Sequence, residues 1–529
     1  MLLPALEFAD APPVPEPAPQ SPKRKNSDTP ATADAPISKR LRVLGRSLFD
    51  SAYEIAPEWA RTFVDGPKLA DATGQHHGPV HNDQLAPTAS EINAAMGVGA
   101  RKLGKIAVIG IHGWFPTKML QMVAGEPTGK SEKFCVMMRE ALHTYLTENH
   151  SVDVSDSDIS LFPLVGEGRI EDRVDLLLSQ IIDPGPVPAE IREALEGPDD
   201  SRATKKKAKR VEIDPSLVAA EMLMPERSQR ADVLGAADTV FVVTHSQGTP
   251  VSALLLERLM ELGLVAPRRQ RVCMLAMAGI SHGPMPYLRD NVVIRYIESE
   301  AARELFELMD PSSPQSQRYV AALSTILHKG VRLICVGSWV DEVVPLYSGI
   351  LQGVSHPNVY RAVYIDAPHY LDDFLSNLIV FALRLRNMGI YDHDLLIHLS
   401  EVVAGSLWGH SGHSTVYGEP DVYKLSVKWL LYSTSAVSQS AIQNGGAAVS
   451  RASGEQIHMN YRPFNAAEKL NPFYIPWIMR TLWDEPEIRQ NSVLRAELRR
   501  LIMLYDKWKP ETKAGKELKY RLEPVRAAI

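Results

Sequence analysis

Ser246 stands in Thr244-His-Ser-Gln-Gly248. An apolar, β-branched run, Thr239 to Val243, precedes it, and Val251, Leu254, Leu255, Leu259 and Leu262 follow at helical spacing. A strand–turn–helix of this kind holds a serine in a strained turn, with its hydroxyl exposed and the next backbone N–H facing a developing oxyanion. The implied chemistry is nucleophilic attack on a carbonyl. Gly248 keeps the last glycine of G-x-S-x-G, while Thr244 replaces the first.

Three further groups would complete that chemistry. A second apolar run, Lys105 to Ile111, ends in His112-Gly113-Trp114-Phe115. Gly113 allows close backbone approach. The N–H groups of Trp114 and Gln247 are the expected oxyanion donors, with His112, Gly113 and Phe115 expected to line the substrate. A third run, Val331 to Val336, leads into Asp341-Glu342-Val-Val-Pro345. Asp341 is preferred over Glu342 as the acid that orients a histidine, because it lies nearer the strand end. The base has two main candidates. His369 directly follows the run 359–365. His413 sits in Gly409-His-Ser-Gly-His413-Ser, ahead of a helix opening at Pro420-Asp421. His413 fits a glycine-flanked loop before a final helix better; His410 ranks third. Each also suits a surface or helix-capping role.

Positioning these residues requires strands at 106–111, 158–164, 239–243, 271–277, 331–336 and 359–365, in a mostly parallel sheet with helices on both faces. His413 further requires a helical insertion between 371 and 405.

The chain has 529 residues, 45% hydrophobic and 23% charged, which suits one large domain with insertions. A net charge of −6 gives no general attraction to nucleic acid or an anionic membrane. Cys135, Cys273 and Cys335 are scattered and odd in number, as buried thiols of a reducing compartment would be. No secretory leader or spanning segment is expected, so the protein reads as intracellular and cytoplasmic. Lys23-Arg-Lys25 and Lys39-Arg-Leu-Arg42 form a weak bipartite nuclear-import pattern. Gly125-Glu-Pro-Thr-Gly-Lys-Ser131 is one residue short of a P-loop and reads better as a substrate-rim loop. No metal-ligand spacing stands out.

Composition divides the chain into a Pro- and Ala-rich disordered tail (1–44), a main domain (45–435) with a basic disordered surface loop (197–212), a linker (436–456) and a C-terminal helical extension (457–529). Residues 486–509 read as one helix with Leu494, Leu498, Leu501, Ile502 and Leu504 as its buried stripe.

Gly110-Ile-His-Gly-Trp-Phe-Pro-Thr-Lys-Met119, Gly125–Gly129, Thr244–Thr249, Met277-Ala-Gly-Ile280 and Gly412-His-Ser-Thr-Val-Tyr417 resemble the α/β-hydrolase superfamily. More narrowly they resemble a fungal family of lipase/esterase-like α/β-hydrolase-fold proteins. The resemblance covers most of 45–435 and also favours His413. It implies an α/β-hydrolase fold and a serine esterase acting through Ser246, His413 and Asp341, without cofactor or metal. Trp114, Phe115, Met119 and Met122 near the expected mouth suggest a lipid or other apolar ester. Peripheral membrane contact and a protein partner at the N-terminal tail or C-terminal helices are compatible with this reading; nucleic acid is not expected. Two alternatives use the same residues: a catalytically silent scaffold, and an acyltransferase.

Overall fold

Strands buried on both faces need side chains that are apolar throughout, and the central runs meet that demand. The computed structural model describes residues 2–4, 103–114, 130–150, 154–182, 224–289, 300–404, 412–432, 458–466, 471–523 and 526. Six parallel strands form the sheet: β2 (Ile106–Ile111), β3 (Ile159–Leu164), β4 (Thr239–His245), β5 (Arg271–Met277), β6 (Arg332–Ser338) and β8 (Val359–Tyr364). All six expected strands are present. β4 runs two residues beyond its expected end, because Thr244 and His245 continue in register with Ala276 and Met277. β6 likewise continues to Ser338, opposite Tyr364.

Leu2–Pro4, assigned by composition to the tail, instead forms β1 and pairs antiparallel with β8. Proline is tolerated there because an edge strand has one unpaired side. The order is β1-β8-β6-β5-β4-β2-β3. The chain moves outward from β2 to β3, then returns to place β4 on the other side of β2. Ligands of open α/β sheets bind at such a reversal, beyond the carboxyl ends of the strands. His112 and Ser246 follow β2 and β4 at that point. A separate two-stranded sheet pairs β7 (Val354–Ser355) with β9 (Asn460–Tyr461).

Helices cover both faces. α1 (Ser131–His150) packs on β2 and β3, and α7 (Pro420–Tyr432) packs on α1 and β5. Opposite them, α2 (Ile170–Ile182), α3 (Gly248–Glu261) and α4 (Pro314–His328) pack together. Their core joins Ile109, Ile111, Val240 and Val242 to Val174, Leu255 and Leu323. Cys135 on α1, Cys273 on β5 and Cys335 on β6 are buried and reduced. Burial pushes the Cys273 and Cys335 thiols up to about 12.

α5 (Phe374–Asn387) and α6 (Leu395–Val403) occupy the expected insertion. The segment expected as one helix is two, α9 (Pro486–Gln490) and α10 (Ser492–Lys507). Asn491 breaks it by capping α10: its side chain accepts from the Val493 and Leu494 N–H groups. The buried stripe is Leu494, Leu498, Leu501 and Tyr505, while Ile502 and Leu504 are half-buried. α8 (Ile475–Asp484) and α11 (Lys513–Leu522) pack against α6, and Trp508 Nε1 donates to Asp373 at the start of α5 (2.8 Å). The basic clusters of the tail, residues 197–212 and residues 436–456 lie outside the described residues.

The turn after β4 leaves no room for a methyl group at Gly248. A Cβ there would lie 2.5 Å from Thr244 Oγ1 and 2.7 Å from the carbonyl oxygens of Ile111 and His112. Two of these atoms are backbone and cannot swing away. Gly248→Ala is expected to lower the unfolding free energy by about 1–3 kcal/mol, measured by urea denaturation.

Candidate active site

Ser246 adopts φ 54°, a left-handed conformation uncommon for residues other than glycine. The turn holds it there through backbone bonds: its N–H donates to Met277 O (3.1 Å), and its carbonyl accepts from Thr249 N (3.0 Å) and Ile280 N (3.2 Å). Gly113 packs directly on it. A Cβ at Gly113 would lie 2.9 Å from Ser246 Cβ. The Gln247 side chain faces away from this surface; it accepts from Arg173 Nη1 (2.7 Å) and donates to Gly168 O (3.2 Å). Among the described residues, the Gln247 N–H has no hydrogen-bond partner.

His112, expected at the substrate, is buried and bonded to backbone. Its Nδ1 donates to Gly113 O (2.6 Å), and its Nε2 accepts from Gly166 N (3.4 Å). That pattern needs a neutral ring. Burial, then the Arg173 charge, lowers its pKa to about 3. The 3.7 Å approach of Glu167 to His112 Nδ1 is therefore not an ion pair. Pinning Gly113 O fixes the peptide that carries the Trp114 N–H, because C=O and N–H of a trans peptide point oppositely. Ser131, from the motif resembling a P-loop, has a structural task. Its Oγ accepts from His112 N (3.1 Å) and donates to Leu164 O (2.7 Å), joining the ends of β2 and β3. Phe115 lies outside the described residues.

Asp341 is buried beyond β6. Its Oδ1 accepts from the Val343 and Val344 N–H groups, each at 2.8 Å, and its Oδ2 faces His413 Nδ1 at 3.0 Å. Val340 before it has φ 56°, a strained value for a β-branched residue. Glu342 lies near the His413 backbone and ring, and its Oε2 has no hydrogen-bond partner among the described residues. Burial and the Asp341 charge raise its pKa.

The loop carrying His413 is tied at several points. Gly412 O accepts from Ser338 Oγ (2.7 Å), and His413 O accepts from His245 Nε2 (2.8 Å). Thr415 Oγ1 donates to Asp366 Oδ2 (2.9 Å), while Tyr364 OH holds Asp366 Oδ1 (2.6 Å). Gly412, at φ 90°, approaches Val340 so closely that a Cβ would lie 2.4 Å from Val340 O. His245 and His413 rings lie 4.5 Å apart, centroid to centroid. Their electrostatics diverge. Burial, then His413, holds His245 well below the usual imidazole range. Burial also opposes charge on His413, but Asp341, through charge and hydrogen bond, and Glu342 outweigh it and raise its pKa.

His369 is exposed on the short turn Ala367–His369 after β8, while Asp341 is engaged by His413. His410 lies outside the described residues. Among the described residues, Ser246 Oγ forms no hydrogen bond with either His413 or His369. A shallow apolar crevice between Phe374 of α5 and Met479, Leu501, Tyr505 and Leu522 of the C-terminal helices touches none of these groups.

Residues 87–186 and 219–486, more than half of the chain, match the YMC0/YMC35 alpha/beta hydrolase domain. The chain belongs to that family. The family match spans β2 to β9 and therefore the ends of all six parallel strands. No curated protein matches the chain. Among solved structures, "Phospholipase PlaB from Legionella pneumophila in complex with thio-NAD" is similar at 13% identity and a TM-score of 0.24, over 45% of this chain and 43% of that one. This chain thus spans less than half the length of that relative.

A base that works through His413 must be deprotonated, so reactivity of Ser246 should fall as pH drops through the raised His413 pKa. The acid limb of fluorophosphonate labelling is expected above pH 6.5. In Asp341→Asn the main raising charge is gone and burial dominates. The limb should then move to lower pH, with a lower plateau, in a pH series of labelling rates.

Proposed function

We propose that the protein is a serine hydrolase of carboxylic esters with Ser246 as nucleophile, His413 as base and Asp341 as its orienting acid. One observation carries this reading: Ser246 at φ 54° packs against Gly113 and follows a histidine whose ring lies 4.5 Å from that of the Asp341-bonded His413. The Asp341 carboxylate accepts a hydrogen bond from His413 Nδ1–H, which fixes the tautomer and leaves Nε2 as the base. Ser246 Oγ bonds to the ester carbon while its proton passes to Nε2. The carbonyl π pair moves onto oxygen, towards the N–H groups of Trp114 and Gln247. Collapse of the intermediate re-forms the carbonyl and expels the alcohol, which takes the proton from His413. Water then repeats the sequence, freeing the acid and restoring Ser246. The net reaction is ester plus water to acid plus alcohol.

Trp114 is half-buried at the end of β2, and Phe115, Met119 and Met122 follow in sequence. This apolar run supports a lipid-like acyl group. An acceptor other than water would make the same residues an acyltransferase. A silent scaffold is the second reading, favoured by the missing hydrogen bond between Ser246 and His413. Such bonds often form only with substrate in place, so the missing bond does not count against the hydrolase.

Fluorophosphonate labelling tests the reading, alongside turnover of esters of increasing acyl length presented with and without lipid vesicles. The native protein should label and Ser246→Ala should not. His413→Ala should label on the order of 10³-fold more slowly, and His369→Ala at the native rate. A native protein that neither labels nor turns over any ester sinks the hydrolase in favour of the scaffold. Turnover of short soluble esters alone removes the lipid preference.

A further inference from the structure

Arg173 lies on the inward face of α2, wholly buried. Its Nη1 donates to Gln247 Oε1 at 2.7 Å and its Nη2 to His112 O at 2.8 Å. The partners are thus a neutral amide and a peptide carbonyl, not a carboxylate. Burying a guanidinium on such terms is costly. Burial lowers its pKa to about 10 against the opposing pull of Glu167, so the group stays charged at neutral pH. A methionine or leucine would fill the same volume without that cost, so the charge calls for an account.

The two acceptors supply it. Gln247 carries one candidate oxyanion donor on its backbone, and His112 begins the peptide pair that ends at the other, Trp114. Gln247 Nε2 is held in turn by Gly168 O (3.2 Å), and Gly113 O by His112 Nδ1 (2.6 Å). A single rigid fork therefore spans the ends of β2 and β4, which belong to opposite arms of the chain's path through the sheet. Bidentate guanidinium geometry fixes both distance and angle between them, as a lysine cannot.

Resting on the hydrolase reading above, we infer that Arg173 is a positioning residue of the oxyanion hole: bonded to the Gln247 side chain and the His112 carbonyl, it holds the two strand ends so that the Trp114 and Gln247 N–H groups converge on one oxygen. Its buried positive charge, close to where the oxyanion develops, also favours negative charge there in a medium that screens little. The backbone donors touch the substrate; Arg173 acts through them.

The test uses the full chain and a fluorophosphonate, whose phosphoryl oxygen occupies the oxyanion position as Ser246 attacks phosphorus. Two quantities are read: the final stoichiometry of labelling and the rate constant with which it is reached. Arg173→Met should keep native stoichiometry while its rate constant falls about 10- to 100-fold. Arg173→Lys should recover part of the loss, since the ammonium keeps the charge and reaches one acceptor. Gln247→Ala, which keeps the backbone N–H, should also slow labelling, and Arg173→Met combined with it should fall no further than Arg173→Met alone. A rate constant within about twofold of native in Arg173→Met overturns the inference. Stoichiometry lost at an unchanged rate constant overturns it too, since that is loss of folded protein. If Arg173→Met is insoluble, Arg173→Lys and Gln247→Ala decide: native rates in both reject the role. Labelling of the native protein is read first. Its absence removes the hydrolase reading, and this inference with it, whereas a labelled native protein with unaffected variants removes this inference alone.

Discussion

The left-handed turn at Ser246 is the constraint on which the arrangement depends. A non-glycine residue at φ 54° is uphill of its relaxed conformation, on the order of 1–3 kcal/mol for such outliers. It persists because the turn is over-determined. β4 fixes one side through its pairing with β5, α3 fixes the other, and Met277 and Ile280 hold the middle. Glycine at 113 and 248 follows from the same geometry, since the turn sits directly against the end of β2. The reversal of the sheet between β2 and β4 brings these two ends side by side.

Around that turn, charge is distributed by burial and partnering. Two imidazoles 4.5 Å apart cannot both be cations. His245 stays neutral and spends its Nε2 proton on the His413 carbonyl, while Asp341 draws charge to His413. His112, neutral for a different reason, serves the backbone of the opposite strand end. Three histidines thus divide into two that fix main chain and one whose charge Asp341 favours.

What the sequence made legible follows from where information is local. The strands announced themselves as apolar runs, and special residues at their ends marked the carboxyl edge of the sheet. His413 and His369 could not be separated by spacing alone, because the pairing with Asp341 depends on how the loop 412–415 is tied to Ser338 and Asp366. Arg173 gave no signal at all. In Ile170-Glu-Asp-Arg-Val-Asp it reads as one more charge on an amphipathic helix, and only long-range packing turns it inward. The same holds for Ser131, whose neighbours suggested a phosphate loop while its hydroxyl bridges two strands. At Asn491, capping chemistry outweighed an otherwise continuous helical pattern. Leu2–Pro4 joined the sheet because an open edge of β8 was available, a fact no local composition carries.

The three buried thiols give the molecule an internal clock. Cys135, Cys273 and Cys335 lie in the sheet and the helix packed on it, and burial disfavours the reactive thiolate in each. A thiol-directed reagent therefore has to wait for the core to open. Because Cys273 and Cys335 sit on the neighbouring strands β5 and β6 and Cys135 on a helix, the order in which they become modified maps which layer of the protein comes apart first.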